Sequence, residues 1–427
     1  METAPSLQVP RISPAAQEKL AAIVGVGNIS AARSQDRICD IQPLLVVSPA
    51  TEQEVAAVLR CANEAGLAVI PRGGGSKMNW GKAPAHADFI LSLARMNRVL
   101  DYAWADLTVT VQAGCTVAAL RDLLAGVGQR LALDALWPER ATIGGILSTN
   151  DSGALRLRFG ALRDLIIGVT LALPDGTLAR SGGRVVKNVA GYDLPKLATG
   201  AFGTLGVITQ ATFRLHPMSP RALTLSFSAA TLDELQQKIS AIQDSSLAHA
   251  ALQVRVAGSE TPKADLLFEA TDEGLSAQRV HAEKLIGALQ ESSSEVWNAR
   301  QALWDGVEEC SAILKVGVLP TDVTKTLATI RAVSASEGAQ VRAVFQATGI
   351  GWIRIDSHNQ AIAANIANLR SEIESRGGSL FVAHRPMQAP TIDAWGSMGD
   401  ALSVMRALKR QLDPQNTLNP GRYVGGI

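Results

Sequence analysis

A glycine-rich loop directly after a predicted strand is the first segment whose residue types could do chemistry. The strand is Leu67–Ile70, and the loop reads Pro71-Arg72-Gly73-Gly74-Gly75-Ser76-Lys77. Three successive glycines let neighbouring backbone N–H groups converge on one point with no Cβ in the way, which is the geometry of a phosphate-binding nest. Ser76 adds a hydroxyl, and Arg72 or Lys77 adds positive charge. The loop alone is equally typical of a surface turn, and its spacing is not that of a Walker loop.

A second glycine-rich segment follows further along the chain. It runs from Thr142 to Gly153 and combines apolar residues with hydroxyls and glycines. This composition lets a large planar ligand approach the backbone closely. The candidate ligand-contacting residues are Thr142, Gly144, Gly145, Thr149, Asp151, Ser152 and Gly153. The alternative is a tightly packed helix start with Thr142 as its cap. The two loops together are more specific than either one, which favours a ligand held between them.

Other candidate motifs predict less chemistry. The stretch Gly25-Val26-Gly27-Asn28-Ile29-Ser30 begins like a dinucleotide fingerprint, but Ser30 stands in place of the third glycine and a helix precedes it. A loop between helices is therefore favoured there. The four cysteines have no Cys-x-x-Cys spacing and the six histidines are dispersed, so neither an iron–sulfur cluster nor a metal site is predicted.

Composition and charge exclude several classes of protein. The 427 residues contain 40 Lys and Arg against 39 Asp and Glu, so the net charge of +1 creates no field that would attract nucleic acid. Apolar residues make up 47% of the chain, which indicates a sizeable core. No apolar run reaches the ~18 residues of a membrane-spanning helix, and residues 1–14 lack the basic start of a signal peptide. We expect a cytoplasmic protein without nucleic-acid partners.

The elements that must position the two loops form an α+β pattern. Thr51 and Glu54 make a capping box for a helix over about 52–65, which lies between two short buried strands. Strands then outnumber helices up to residue 217. The predicted strands are Leu44–Val47, Leu67–Ile70, Phe89–Leu93, Leu107–Gln112, Leu165–Leu173 and Val207–Leu215. We expect a helical arm over 1–37 and an α+β domain over 38–217.

A repeated pattern follows the boundary marked by Pro217 and Pro220. Strands and helices alternate as βαββα and then βαββαβ, which indicates an internal duplication. Two ferredoxin-like halves that share one antiparallel sheet, with the helices on one face, satisfy this order over 218–400. An amphipathic helix over Ala401–Leu412 and an extended strip complete the chain as a fourth unit, 401–427.

The first domain, residues 38–217, resembles the PCMH-type FAD-binding domain of the vanillyl-alcohol-oxidase superfamily. Beyond the two loops, the matching stretches are Val111–Gly114, Phe159-Gly160, Arg163-Asp164, Leu173–Gly176 and Gly203–Thr209. Within that superfamily, Lys187–Leu194 and Leu408–Arg422 resemble the FAD-binding E subunits of bacterial glycolate oxidases. The narrower resemblance covers most of the chain, with the middle weakly matched.

The resemblance implies a bound FAD and a role for each candidate residue. Gly73, Gly74, Gly75 and Ser76 would bind the diphosphate, with Arg72 and Lys77 at the ends of the loop. The candidates between Thr142 and Gly153 would line the isoalloxazine and ribityl path, and Val207 and Ile208 would hold the adenine. Relatives that bind FAD covalently carry a histidine near Ser76, so a non-covalent flavin is implied. The C-terminal sheet would cap the ring, and Leu408–Arg422 would return to the FAD domain.

The sequence departs from this family at its catalytic strip. The resembling 2-hydroxy-acid dehydrogenases carry a His-x-Gly-Asp-Gly-Asn-x-His strip that binds a metal and provides the base, and this chain has none. The candidate catalytic residues are His384 as a general base and Arg385 as a cation for a carboxylate. A polar strand end is the alternative for both. The stretch Gly200–Gly203 also lacks the acidic residue that the family usually has there.

Three functions stay open at this point. The first is the FAD-binding subunit of a glycolate-oxidase-like complex, which oxidises glycolate to glyoxylate with a sister flavoprotein and an iron–sulfur subunit. The second is a self-sufficient FAD-dependent dehydrogenase or oxidase of another 2-hydroxy acid or alcohol. The third is a flavin-free scaffold. The missing strip argues against the second and the intact Gly73–Ser76 loop against the third. The first is our prediction, with the chain in the cytoplasm or at a membrane surface through its partners.

Overall fold

The computed structural model describes residues 12–183, 191–337, 339–357, 362–386 and 392–427. Its helices are α1 (Pro14–Val24), α2 (Glu52–Glu64), α3 (Val117–Ala125), α4 (Ile143–Thr149), α5 (Arg156–Phe159), α6 (Leu162–Leu165), α7 (Leu194–Ala198), α8 (Leu232–Gln243), α9 (Asp272–Ile286), α10 (Ala299–Ala302), α11 (Val323–Glu337), α12 (Ile362–Ser375) and α13 (Ala401–Leu412).

The strands are β1 (Ile29–Ala31), β2 (Leu45–Val47), β3 (Val69–Arg72), β4 (Phe89–Ser92), β5 (Val99–Ala103), β6 (Thr108–Gln112), β7 (Gln129–Arg130), β8 (Ile166–Ala172), β9 (Leu178–Gly182), β10 (Val207–Arg214), β11 (His216–Pro217), β12 (Arg221–Ser228), β13 (His249–Ala257), β14 (Lys263–Ala270), β15 (Gln290–Glu291), β16 (Ser311–Gly317), β17 (Gln340–Gln346), β18 (Ile350–Asp356) and β19 (Ser379–His384).

The first half of the chain builds two large sheets around a shared hydrophobic core, and β7 and β11 pair as a third, two-stranded sheet. One sheet has the order β1-β2-β4-β3, in which β2, β4 and β3 are parallel, and the other is antiparallel with the order β5-β6-β10-β8-β9. Helix α2 begins after the predicted cap Thr51, whose hydroxyl accepts from the Glu54 N–H over 3.1 Å. The Glu54 carboxylate accepts from the Ala50 N–H over 2.8 Å, one residue before the partner that the predicted capping box requires. Apolar side chains from both sheets, such as Phe89 and Phe213, are fully buried in this core.

The segment Gly25–Ser30 differs from its predicted form. The sequence predicts a loop between helices, but the chain enters strand β1 at Ile29 and pairs antiparallel with β2. This pairing gives the backbone N–H and C=O groups of the N-terminal arm partners within the protein. The arm therefore extends the first sheet and, through Leu20 and Val24 of α1, contributes to the same core.

The second half forms one eight-stranded antiparallel sheet, as the duplicated pattern predicts. Its order is β15-β12-β14-β13-β17-β18-β16-β19, and the two repeats join where β13 pairs with β17. Helices α8, α9, α11 and α12 bury their apolar faces on one side of the sheet, through residues such as Leu235, Leu275, Leu327 and Ile366. The α+β class with a sheet-built cap domain is thereby confirmed. Within the described ranges, no helix is long and apolar enough to cross a membrane.

An aromatic cluster lies between the other face of this sheet and the first half of the chain. Its tryptophans are Trp80 and Trp137 from the first half, and Trp304, Trp352 and Trp395 from the second. Trp80 stacks on Trp304 with 5.7 Å between ring centroids and tilts against Trp352 at 5.3 Å. We call it the interface cluster, because it joins the two halves of the molecule.

A buried lysine, which also forms an ion pair within the C-terminal tail, holds this tail against the first half of the chain. Lys409 of α13 lies 2.6 Å from the Asp413 carboxylate and donates to the carbonyl oxygens of Thr204 and Leu418 over 2.9 Å each. The Asp413 carboxylate also accepts the N–H groups of Thr417 and Leu418. The chain beyond α13 therefore packs on the segment that leads into β10.

Replacing Lys409 with methionine should destabilise the protein strongly. The Asp413 carboxylate would stay buried without its cation, which costs about 3–5 kcal/mol of the free energy of unfolding. Chemical denaturation measures this loss. The matched control is Arg410→Met, because Arg410 is the exposed neighbour on the same helix. Equal stability of the two variants would contradict a structural role for the Lys409–Asp413 pair.

Candidate functional site

Both predicted glycine segments meet at one cleft. The loop after β3 forms one wall, the first turns of α4 form another, and the start of β10 with the C-terminal tail completes it. The lining residues are Pro71–Met78, Leu93, Ala113, Thr142, Gly144, Gly145, Ser148, Thr149, Phe202, Gly203, Gly206, Val207, Ile208, Asn419 and Arg422. Most of the predicted cofactor-binding residues are thus brought together, although they come from distant parts of the chain.

The glycines of the first loop are required by the protein itself. A Cβ on Gly73 would lie 1.9 Å from the Thr142 hydroxyl oxygen, and a Cβ on Gly74 would lie 1.7 Å from the carbonyl oxygen of Arg140. Gly75 has room for a Cβ, but its φ of +73° favours glycine. A side chain at Gly74 would thus collide with the protein itself, and its effect on phosphate binding stays a prediction. The first obstacle is the backbone ahead of α4.

Replacing Gly74 with alanine should give colourless protein. The added Cβ forces the loop away from Arg140. The backbone N–H groups of the predicted phosphate-binding nest then no longer converge on one point. Visible flavin absorbance per protein chain measures the loss. Gly27→Ala is the control, because a Cβ there meets nothing within 4 Å. Stoichiometric yellow flavin in the Gly74 variant would refute this geometry.

Thr142 takes the N-cap position of α4 but leaves its hydroxyl free. It has the extended backbone of a cap, yet its side chain makes no capping hydrogen bond, and the hydroxyl oxygen is buried without a partner in the described residues. Thr142 and Gly145 both line the cleft, and the Thr142 hydroxyl is the nearest atom to a Cβ built on Gly145, at 3.2 Å. A buried hydroxyl without a partner beside two glycine-lined walls fits a polar ligand in the cleft.

The two charged ends of the first loop are already paired within the protein. Arg72 contacts the Asp36 carboxylate, and the Lys77 ammonium lies 3.0 Å from the carboxylate of Asp151. Both side chains line the cleft, but each has an acidic partner of its own. Their positive charges are consequently less available to a ligand than the sequence suggests.

Asp151, Ser152 and Gly153 lie behind the cleft and are not among its lining residues. The fully buried Asp151 carboxylate accepts from Arg300 over 2.8 Å and from the Leu136 N–H over 2.9 Å. Burial alone would raise the pKa of Asp151, but Lys77, Arg300 and Lys315 together hold it well below its ordinary value. The N–H of Gly153 donates to the Asp134 carboxylate over 2.8 Å. Cofactor binding by these three residues stays a prediction.

Sequence reasoning missed two cations of the second half, Arg300 of α10 and Lys315 of β16, that lie near the Asp151 carboxylate. Lys315 of β16 donates to the Asn150 carbonyl oxygen over 3.1 Å, and its ammonium lies 5.7 Å from the Trp352 ring centroid. Desolvation lowers the pKa of Lys315 to about 8, although the Asp151 charge opposes the shift. The available signal was a lysine in the middle of the apolar strand Ser311–Gly317. We call Lys77, Arg300 and Lys315, around Asp151, the cation cluster.

The predicted catalytic pair lies away from the cleft lining. His384, at the end of β19, bonds to the backbone of Glu308; burial lowers the pKa of its imidazole, and this hydrogen bond partly offsets the shift. Arg385 donates to the Gly81 carbonyl oxygen over 2.6 Å, while its Nε is buried without a partner in the described residues. Neither is a lining residue, so their catalytic roles stay predictions. The first four residues of the Lys187–Leu194 motif fall outside the described residues.

Comparison with known proteins agrees with this site. Residues 43–182 match the family model of the FAD binding domain, and residues 397–423 match that of the C-terminal domain of FAD linked oxidases. The first match contains the glycine loop and α4, and the second contains the docked tail with Asn419 and Arg422.

Curated relatives align along most of the chain. D-2-hydroxyglutarate dehydrogenase of Xanthomonas citri pv. viticola is 26% identical, over 89% of this chain and 89% of its own length. Glycolate oxidase subunit GlcD of Bacillus subtilis is 26% identical, over 89% of this chain and 88% of its own length. The structure of p-cresol methylhydroxylase superposes with a TM-score of 0.74 at 17% identity and covers 96% of each chain. The fold is thus the PCMH-type FAD-binding fold, and the chain is an FAD-dependent oxidoreductase.

Proposed function

We propose that this chain is the FAD-binding subunit of a complex that oxidises a small 2-hydroxy acid such as glycolate. The curated relatives support the substrate class, because their names specify D-2-hydroxyglutarate and glycolate. The glycolate oxidase relative is the D subunit, whereas the sequence motifs resemble E subunits. Both comparisons support a flavoprotein chain of a 2-hydroxy-acid dehydrogenase, and the assignment as an E-type subunit rests on the motifs.

The main observation behind the proposed 2-hydroxy-acid substrate is the excess of positive charge in the cation cluster. Three cations are grouped around the Asp151 carboxylate. Lys77 lines the cleft, and Lys315 donates to the carbonyl oxygen of Asn150, which directly follows the lining residue Thr149. Arg300 and Lys77 are both buried, so water screens these charges poorly. A substrate carboxylate would complete this arrangement, since buried cations need an anionic partner. An uncharged alcohol would leave the excess uncompensated.

The chain provides cations that would bind and orient the carboxylate of such a substrate, but the described residues of its cleft lining provide no histidine or carboxylate base that would remove a proton from it. FAD supplies the two-electron acceptor when it is bound. The Gly73–Ser76 loop and the Thr142 hydroxyl would hold it, and the interface cluster excludes water from the junction of the two halves. Among the described residues that line the cleft, none is a histidine or a carboxylate. A base supplied by His384 after rearrangement, or by a sister subunit, would have to complete the reaction.

Anaerobic mixing of the purified chain with glycolate tests this proposal. We expect slow or absent bleaching of the flavin by the isolated chain, and rapid bleaching once a sister flavoprotein and an iron–sulfur subunit are present. Ethylene glycol, which lacks the carboxylate, should be inert in both cases. Rapid full bleaching of the isolated chain that is abolished by His384→Ala would instead establish a self-sufficient dehydrogenase.

The flavin should be released by acid or by boiling. Ser76 occupies the position where the resemblance places the covalent histidine of other members, and a serine hydroxyl does not form that bond to the ring. Precipitation followed by absorbance of the supernatant measures free flavin. Colour that stays with the precipitated protein would show a covalent link and contradict this prediction.

A further inference from the structure

Arg422 is a buried cation that lacks an acidic partner in the described part of the chain. Only 4% of its surface is exposed, and its guanidinium donates to the carbonyl oxygens of Met78 and Trp80 and, over 3.4 Å, to the Asn419 side chain. These three acceptors are neutral, and Nε has no partner among the residues that the structure describes. Removal from water lowers the pKa of Arg422 to about 10, and the nearby thiol of Cys39 offsets little of this shift. Such a charge is costly to bury unless an anion joins it.

The position of Arg422 indicates which anion this is. It lines the same cleft as the glycine loop, and its carbonyl partners Met78 and Trp80 directly follow that loop in the chain. Three cations occur among the described lining residues, and the other two, Arg72 and Lys77, have Asp36 and Asp151 as partners. Arg422 is therefore the lining cation whose charge is left for a ligand.

We propose that Arg422 binds the diphosphate of FAD and supplies the positive charge that the glycine loop lacks. The loop contributes neutral backbone N–H groups and the Ser76 hydroxyl, which orient the phosphate oxygens. The guanidinium contributes two-pronged hydrogen bonding and charge, and it reaches the cleft only after the C-terminal tail has docked. The FAD-binding domain and the C-terminal segment thus build one anion site together. This inference depends on FAD binding and not on the proposed substrate.

ADP is the probe that isolates this contact, because it carries the diphosphate without the flavin ring. We expect Arg422→Met to weaken the binding of both ADP and FAD to the apoprotein by about 10- to 150-fold, the usual effect of losing a hydrogen bond to a charged group. Arg422→Lys should retain most of the affinity. Adenosine, which has no phosphate, should bind all three proteins alike. Titration calorimetry measures each affinity.

A structural role would give a different pattern. If Arg422 only held the Met78 and Trp80 carbonyls in place, Arg422→Met would lower the melting temperature of the apoprotein and the FAD-bound protein equally. The proposal instead expects a smaller FAD-induced rise in melting temperature for the variant. If ADP bound the folded variant as well as it binds the wild type, the diphosphate assignment would be overturned. Weakened binding of FAD alone would then indicate a contact with the flavin ring instead.

A second variant avoids the risk that Arg422→Met does not fold. Cys39 lies near Arg422 and has a φ of +51°, which aspartate tolerates better than most residues. Cys39→Asp would give the guanidinium an internal acidic partner. We expect the apoprotein to keep its stability while ADP affinity falls at least tenfold, with Cys39→Ser as the uncharged control. Unchanged ADP affinity in Cys39→Asp would refute the proposal independently.

Discussion

Asp151→Asn should lower the free energy of unfolding by about 3–5 kcal/mol, because the change leaves three neighbouring cations without their shared anion. The Asp151 carboxylate is fully buried and pairs with Lys77 from the first half and Arg300 from the second. Asparagine keeps the size of the side chain, so the loss is electrostatic. Chemical denaturation of the FAD-free protein measures it without interference from cofactor loss.

The matched control is Asp122→Asn, since Asp122 forms an exposed ion pair with Arg121. That change should alter stability by no more than about 0.5 kcal/mol. Asp151 also sets a pH dependence. Its folded pKa lies below the unfolded value of about 3.9, so its stabilisation is complete above that pH and is lost as the pH falls through the folded value. If both variants had wild-type stability, the cation cluster would not hold the two halves together.

Lys315→Met should weaken the binding of a substrate-like carboxylate by about 10- to 150-fold, the effect expected for one hydrogen bond to a charged group. Oxalate is a suitable probe, because it resembles an oxidised 2-hydroxy acid and cannot reduce the flavin. Its binding is followed by the perturbation of flavin absorbance. In the assembled complex the same variant should raise KM more than it lowers kcat. Lys315→Arg, which retains the charge, should behave close to the wild type.

The pH profile separates this electrostatic role from a structural one. Because the pKa of Lys315 is lowered to about 8, oxalate affinity in the wild type should decline as the pH rises through that value. Lys315→Arg should remove the decline, since arginine stays protonated. The control is Lys263→Met, because Lys263 is an exposed lysine at the start of strand β14 in the same sheet. A wild-type profile that is flat between pH 7 and 9, or an equal loss in the control, would contradict the assignment.

The fold could be predicted from the sequence where local patterns decide it. The capping box at Thr51 predicts the start of α2 to the residue, and the duplicated order of strands and helices predicts the eight-stranded sheet. Strand β1 was missed, because its three residues show no clear alternation of apolar and polar side chains. They form a strand by pairing with the free edge of β2. Patterns in a short window cannot show such an edge.

The residues of the candidate site also fall into two groups, those that local sequence patterns predict and those that only distant contacts bring to the site. The glycines of the first loop and Thr142 stand in recognisable segments, so the sequence places them together before the structure is seen. Arg300 and Asp151, which form an ion pair, are 149 positions apart in the sequence. Arg422 and Met78, which form a hydrogen bond, are 344 positions apart. The motif Leu408–Arg422 predicts that the tail returns to the FAD-binding domain, but it does not indicate that the Arg422 guanidinium ends in the cleft. Its charge becomes informative only when the acidic partners of Arg72 and Lys77 are known.

The interface cluster gives the protein an intrinsic fluorescence probe at the junction of its two halves. Five of the seven tryptophans belong to it. Neighbouring rings among Trp80, Trp137, Trp304 and Trp352 have 5.0–6.4 Å between their centroids, and Trp395 packs on Phe381 at 4.6 Å. The remaining two, Trp104 and Trp297, lie outside it. Most of the indole side chains of this chain therefore lie at the junction of its two halves. A shift of their fluorescence emission to longer wavelength would register the parting of the halves, with no label attached.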